Sequence, residues 1–188
     1  MSKGFTLLEL IIVIGILAIL GTVSVLVLNP AQLFAQARDT TRIQDLATLN
    51  SAIGLYISSG GSDLDGSGAC GTNCWSSITG LAASCGARHT AATNIESVSR
   101  LTTGAGWLPV NFATGVPGGS PIASLPVDPS NTTTYYYSYS CSSALTTYEL
   151  NANLESTRYT SGADNREIID GGDSDTIYEI GTAAGLTL

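Results

Sequence analysis

Glu9 interrupts the most apolar stretch of the chain. It stands within the run Phe5 to Leu28, and no charge follows it from Leu10 to Leu28. A carboxylate in hydrocarbon is costly, so its presence there marks function. Its chemistry is ion pairing: a buried carboxylate needs a cation beside it. The four cysteines, Cys70, Cys74, Cys85 and Cys141, all lie beyond the apolar run. An even number in a chain that crosses a membrane points to two disulfides in an oxidising compartment. Three pairings are open. Cys74–Cys85 with Cys70–Cys141 is preferred, because the first closes a short local loop and the second ties that loop to a strand.

Asp170, Asp173 and Asp175, within Asp-Gly-Gly-Asp-Ser-Asp, form a candidate calcium site, with Asp164 and Glu167 just upstream. Calcium takes oxygen ligands, and glycine lets the chain wrap around an ion. A plain turn is the alternative reading here, as it is for Asp63 and Asp65. His89 is the only histidine. Its setting, ARHTAAT, reads as a surface loop, and no GxSxG, P-loop or HExxH accompanies it. No catalytic residue is expected, and no enzyme. A net charge of −8 and a pI near 4.3 make nucleic acid an unexpected partner.

These residues need elements to hold them. Leu10–Leu28 gives 19 uncharged residues, and a bilayer core takes about 20 as helix. Lys3, the only lysine, precedes the span and predicts a cytoplasmic N-terminus with an exported body. Pro30 predicts a break just past the span. An amphipathic helix follows to about residue 58, with Leu33, Ala37, Ile43, Leu46, Leu49, Ile53, Tyr56 and Ile57 on one stripe and Arg38, Asp39, Arg42 and Asp45 on other faces. Two strands read by alternation: Tyr135, Tyr137, Tyr139 and Cys141 share one face, and Tyr148, Leu150, Ala152 and Leu154 share another. Glu149, Asn151, Asn153 and Glu155 take the opposite side. SSALTT suits a hairpin connection, and TIYEIGT is a candidate third strand. Trp107, Leu108, Val110 and Phe112 precede a proline-rich loop. The fold class is α+β: a long N-terminal helix, apolar in its transmembrane half and amphipathic in the other, packed on a small antiparallel sheet.

The stretch KGFTLLELIIVIGILAIL resembles the N-terminal signal of type IV pilins and of type II secretion pseudopilins. LPVDPSN followed by YYYSY is similar to the proline-rich loop and first strand of major pseudopilins. The resemblance implies cleavage by a prepilin peptidase after Gly4, N-methylation of the new first residue Phe5, and an assembly role for Glu9. It also implies residues 1–4 as leader, 5–29 as transmembrane and filament-core helix, 30–58 as amphipathic helix, and 59–188 as a disulfide-stapled head. The implied partners are identical or related subunits in a homopolymer, the peptidase, the inner-membrane assembly machinery and the membrane. The final place is an extracellular or periplasmic filament. Major pseudopilins bind calcium near the C-terminus, which adds to the case for Asp170–Asp175; no other cofactor is implied. A pilus subunit, a secretion pseudopilin, and a minor pilin or membrane-anchored binding module are the functional readings. A rival reading is a conventional secretory signal, cut after Ala35-Gln36-Ala37 and before Arg38.

Overall fold

A computed structural model describes residues 4–66, 68, 70–91, 93–142 and 146–188. Lys3 and the middle of the expected hairpin connection, residues 143–145, lie outside the described residues. The helix α1, Leu7–Leu28, is apolar all round. At 1.5 Å per residue it is roughly 33 Å long, enough for a bilayer core. A second helix, α2, covers Pro30–Ser58. The two meet at Asn29, which is left-handed at φ 39°, ψ 73°. Proline pushes the preceding residue out of the α region, and asparagine tolerates the left-handed basin. The break expected at Pro30 is thus a single residue, Asn29, between two helices.

Among the described residues the head holds a five-stranded sheet: β1 Asn73–Ser76, β2 Thr93–Glu96, β3 Tyr137–Ser142, β4 Thr147–Ala152 and β5 Tyr178–Gly181. The spatial order is β2-β1-β3-β4-β5. β1 and β2 run parallel and the other neighbours antiparallel, so the sheet is mixed rather than antiparallel throughout. A parallel pair needs a crossover connection, and the chain that runs on from residue 77 supplies it. β1 and β2 were not expected. They are four residues each, and their order comes from pairing, β1 against β3 and β2 against β1, rather than from alternation of their own.

Tyr139 stands opposite Leu150 and Cys141 opposite Tyr148 across β3 and β4. Their shared face packs on Leu46, Leu49, Ile53 and Tyr56 of α2, with Trp107, Leu108, Val110 and Phe112 filling the space beside them. Gly115 lies so close to the Tyr56 ring that a Cβ there would collide with it. Burial of Trp107 alone is worth several kcal/mol, since truncating a core tryptophan to alanine costs about 3–5 kcal/mol. Cys70 pairs with Cys141 and Cys74 with Cys85, at Cα separations of 4.9 and 6.0 Å.

The buried stripe of α2 differs from the expected one at its start. Leu33 and Ala37 face outward, while Ala35, Asp39 and Arg42 are buried. A charge network explains it. Arg42 donates from Nε to Asp128 Oδ2 (2.6 Å), from Nη1 to Asp39 Oδ1 (2.8 Å) and from Nη2 to Asp128 Oδ1 (3.0 Å), Ser130 Oγ (3.2 Å) and Glu155. Asp39 in turn accepts the backbone N–H of Glu155 (2.9 Å) and Ser156 (2.7 Å). Burial alone would lower the Arg42 guanidinium, but its bonds to Asp128 and Glu155 hold it well above the usual range. Burial would raise Glu155, yet hydrogen bonds from Arg38 and Arg42 hold it down at about 2.

Candidate functional site

The N-terminal region exposes its chemistry rather than enclosing it. Nothing lies within 4 Å of a Cβ built on Gly4, and Phe5 is 82% exposed. Residues 4–6 precede the helix without regular structure. The Gly4–Phe5 peptide is thus open to an attacking enzyme. By contrast, Ala35-Gln36-Ala37 lies inside α2, with Ala35 buried against the head. A peptidase would have to unwind packed helix to reach it.

Thr6 caps α1, and Glu9 completes a capping box. Thr6 N–H and Oγ1–H donate to Glu9 Oε2 at 2.9 and 2.8 Å, and Glu9 N–H donates to Thr6 Oγ1 at 3.2 Å. Two backbone donors at the helix start, those of Thr6 and Glu9, are answered this way. Both contacts fall on Oε2; among the described residues Oε1 makes no hydrogen bond. The role of Thr6 went unread in the sequence. The T-x-x-E spacing of Thr6 and Glu9 was the available signal. Beyond Glu9, every described α1 side chain is exposed, its large apolar residues from Val13 at 46% to Val27 at 76%. Among the described residues one helical stretch is long and apolar enough to cross a membrane, and its most apolar window is not buried by the head at all.

The acidic loop is arranged differently. Asp170 Oδ1 accepts Gly172 N–H (2.9 Å) and Oδ2 accepts Glu179 N–H (2.8 Å), while Glu179 Oε2 accepts Ser174 N–H (3.0 Å). Among the described residues no trio of ligand atoms drawn from Asp170, Asp173 and Asp175 gathers within 4.8 Å. Asp63 and Asp65 likewise hold turns, through the N–H groups of Gly66 and Gly68. Asp65 does sit beside Cys70 and Cys141, but those sulfurs are joined to each other.

His89 is not on a surface loop. It is 6% exposed, with Nε2 at 3.0 Å from Ser138 Oγ and Nδ1 at 3.5 Å from Glu149 Oε1. The loop 84–91 folds over the polar side of β3 and β4, and the C-terminal residues close it: Leu188 N–H donates to Glu149 Oε2 and Thr90 N–H to Leu188 O, both at 2.7 Å. Glu179 lies on the same side. Burial, reinforced by the charges of Glu149, Asp173 and Asp170, pushes it up to about 8.

Comparison with known proteins bears on the first part of the chain. A family model for the prokaryotic N-terminal methylation motif matches residues 1–25. Neither the curated proteins nor the solved structures give a match to this chain. The matched segment contains Gly4, Phe5, Thr6 and Glu9 and most of α1, all displayed free of the head. At residues 1–25 the chain therefore carries the prokaryotic N-terminal methylation motif of the type IV pilin and pseudopilin family.

Proposed function

We propose that this protein is a structural subunit of a type IV pilus-like filament. The observation that carries the reading is the pairing of the methylation motif with an α1 that the head leaves wholly uncovered. Before assembly the membrane covers α1, with the N-terminus cytoplasmic and the head exported. Prepilin peptidase hydrolyses the Gly4–Phe5 bond and frees an amine at Phe5, which is then methylated. Such an amine titrates near ~7.7–8.0 when unperturbed and is mostly protonated at neutral pH. In the filament, α1 helices of neighbouring subunits bury one another's apolar surface. Glu9, its Oε1 unengaged within the subunit, pairs with the Phe5 amine of a neighbour and sets the axial register. Any other stagger leaves two buried charges unpaired. A pseudopilin of type II secretion uses the same chemistry, and a retraction ATPase or an outer secretion channel encoded nearby distinguishes the two.

N-terminal mass spectrometry of exported protein tests the processing step. The expected mature chain begins at methylated Phe5; a start at Met1 or Arg38 refutes it. Gly4→Val is expected to impair cutting far more than Gly4→Ala, because the bond sits in open chain and only the peptidase's own pocket limits the side chain.

A further inference from the structure

The polar side of the sheet brings a nucleophile, a base and an amide together. Ser138 of β3 and Asn151 of β4 stand directly opposite each other. Opposite residues of an antiparallel pair carry their Cβ atoms on one face, about 4.5–5.5 Å apart. The Ser138 hydroxyl and the Asn151 carboxamide are each bonded to Cβ, so Oγ and Cγ can meet without a change of register. His89 lies over the pair, with Nε2 at 3.0 Å from Ser138 Oγ. Asn151 Nδ2 donates to the carbonyl of Arg88, the residue before His89, at 3.3 Å.

Two buried atoms of this cluster lack a hydrogen bond among the described residues, His89 Nδ1 and Asn151 Oδ1, and such atoms call for an explanation. Glu149 Oε1 lies 3.5 Å from His89 Nδ1. A carboxylate there favours the tautomer with its proton on Nδ1 and a lone pair on Nε2, facing the Ser138 hydroxyl. Glu179 of β5 stands opposite Asn151 on the other flank. Burial, with the charges of Glu149, Asp173 and Asp170, keeps it protonated up to about 8. A protonated carboxyl is a donor, and Asn151 Oδ1 on the adjoining strand is an acceptor without one.

Burial decides what such a set can do. Ser138 and Asn151 are 0% exposed, Glu149 is 1%, Glu179 2% and His89 6%. A serine and histidine sealed in this way serve no outside substrate. The reaction open to them is with the amide beside them. We propose that Ser138 and Asn151 join autocatalytically in a side-chain ester that ties β3 to β4.

His89 Nε2 takes the hydroxyl proton as Ser138 Oγ attacks Asn151 Cγ. The Oγ–Cγ bond forms, and negative charge gathers on Oδ1, which the Glu179 carboxyl answers. The Cγ–Nδ2 bond then breaks, and His89 returns its proton to the leaving nitrogen. Hydroxyl and carboxamide become ester and ammonia, with no redox change. Burial afterwards shields the ester from hydrolysis. The link needs the folded head alone and does not depend on filament assembly.

Mass spectrometry of the exported full chain tests it. After reduction, trypsin leaves both residues in one peptide, 101–158, because no Lys or Arg falls inside it. That peptide is expected to weigh less than its sequence by one ammonia. Hydroxylamine is expected to open the link and leave a hydroxamate at position 151. Ser138→Ala and Asn151→Ala are each expected at full mass. His89→Gln removes the base and is expected at full mass with native near-UV dichroism. Glu149 is a positioning residue, and Glu149→Gln is expected to lose most of the linked form while the dichroism stays native. Should either of these two variants lose its dichroism, the wild-type and Ser138→Ala peptides decide. A wild-type peptide of full mass overturns the proposal. So does a loss of ammonia that survives Ser138→Ala, which is an imide formed at Asn151 alone.

Discussion

In α1 the one charge, Glu9, is answered by Thr6, three residues away, and every described apolar side chain beyond it faces outward. In the head, Glu155 is answered by Arg42 and Arg38, 113 and 117 residues away in sequence, and the apolar side chains face one another. The contrast separates two kinds of incompleteness. The head closes its own core, joins its own cysteines and pairs its own buried ions. The first helix satisfies its polar groups and leaves its apolar surface bare. Its apolar surface needs a membrane or other copies of itself, and Asn29 lets it do so without disturbing the head. A substitution in one region therefore changes a different observable from a substitution in the other.

The largest effect on the head is expected from Arg42→Ala. It strands Asp39, Asp128 and part of Glu155 without their cation, and breaking a buried ion network costs about 3–5 kcal/mol. Denaturant unfolding of the head measures it, while membrane insertion by α1 is expected to be unchanged. A loss under about 1 kcal/mol would mean that the three acids find other partners.

Next come the disulfides, whose ranking follows from the loops they close. Cys70–Cys141 spans 71 residues and Cys74–Cys85 spans 11. Loop-closure entropy puts their removal, as paired serine variants, at about 4 and about 3 kcal/mol. Urea melts of the two double variants check the order.

Smaller, and opposite at the two ends of the scale, is the effect of pH. Glu155 is held at about 2, below the usual 4.5, so its contribution is present above about 4.5 and is lost as pH falls toward 2. Glu167 and Glu179 are raised to about 7 and about 8. The folded head then holds protons that the unfolded chain has released, so stability falls as pH rises from about 4.5 to 8. Melting temperature is expected to peak near pH 4.5–5, and Glu179→Gln is expected to flatten the alkaline arm while leaving the acid arm. The smallest effect on head stability is expected from Leu17→Ala, within about 0.5 kcal/mol, because its side chain touches nothing in the head. The same variant is expected to lower filament yield.

The sequence was most readable where one residue pattern alone decides structure. The apolar run made α1 visible, and period-two alternation marked β3 and β4 together with the face that meets α2, with β5 named as a candidate strand. The stretch Trp107–Phe112 stood out as apolar ahead of a proline-rich loop, but that it fills the core beside α2 is seen only in the fold. What escaped depends on partners distant in sequence. Asp39 and Arg42 looked like a solvated face, since periodicity counts apolar residues and cannot see that Asp128 and Glu155 arrive beside them. The far side of β4 also looked solvated, because Glu149, Asn151 and Asn153 are polar. Only the folded chain shows loop 84–91 and the last residues lying over it. At the N-terminus the motif located Gly4, Phe5 and Glu9, while the T-x-x-E spacing that fixes Glu9 over the helix start went unread.

Filament assembly by Glu9→Gln subunits tests the central claim most directly. The substitution keeps the shape, removes the charge, and makes insertion easier rather than harder. The variant is expected to insert, to be cut after Gly4, and to keep the head's melting temperature. Filament yield is expected to collapse when it is expressed alone and to recover in part when wild-type subunits are mixed in, because the variant still carries its own Phe5 amine. Normal filaments of unchanged axial rise from Glu9→Gln alone would contradict the account and leave Glu9 as no more than the cap of its own helix.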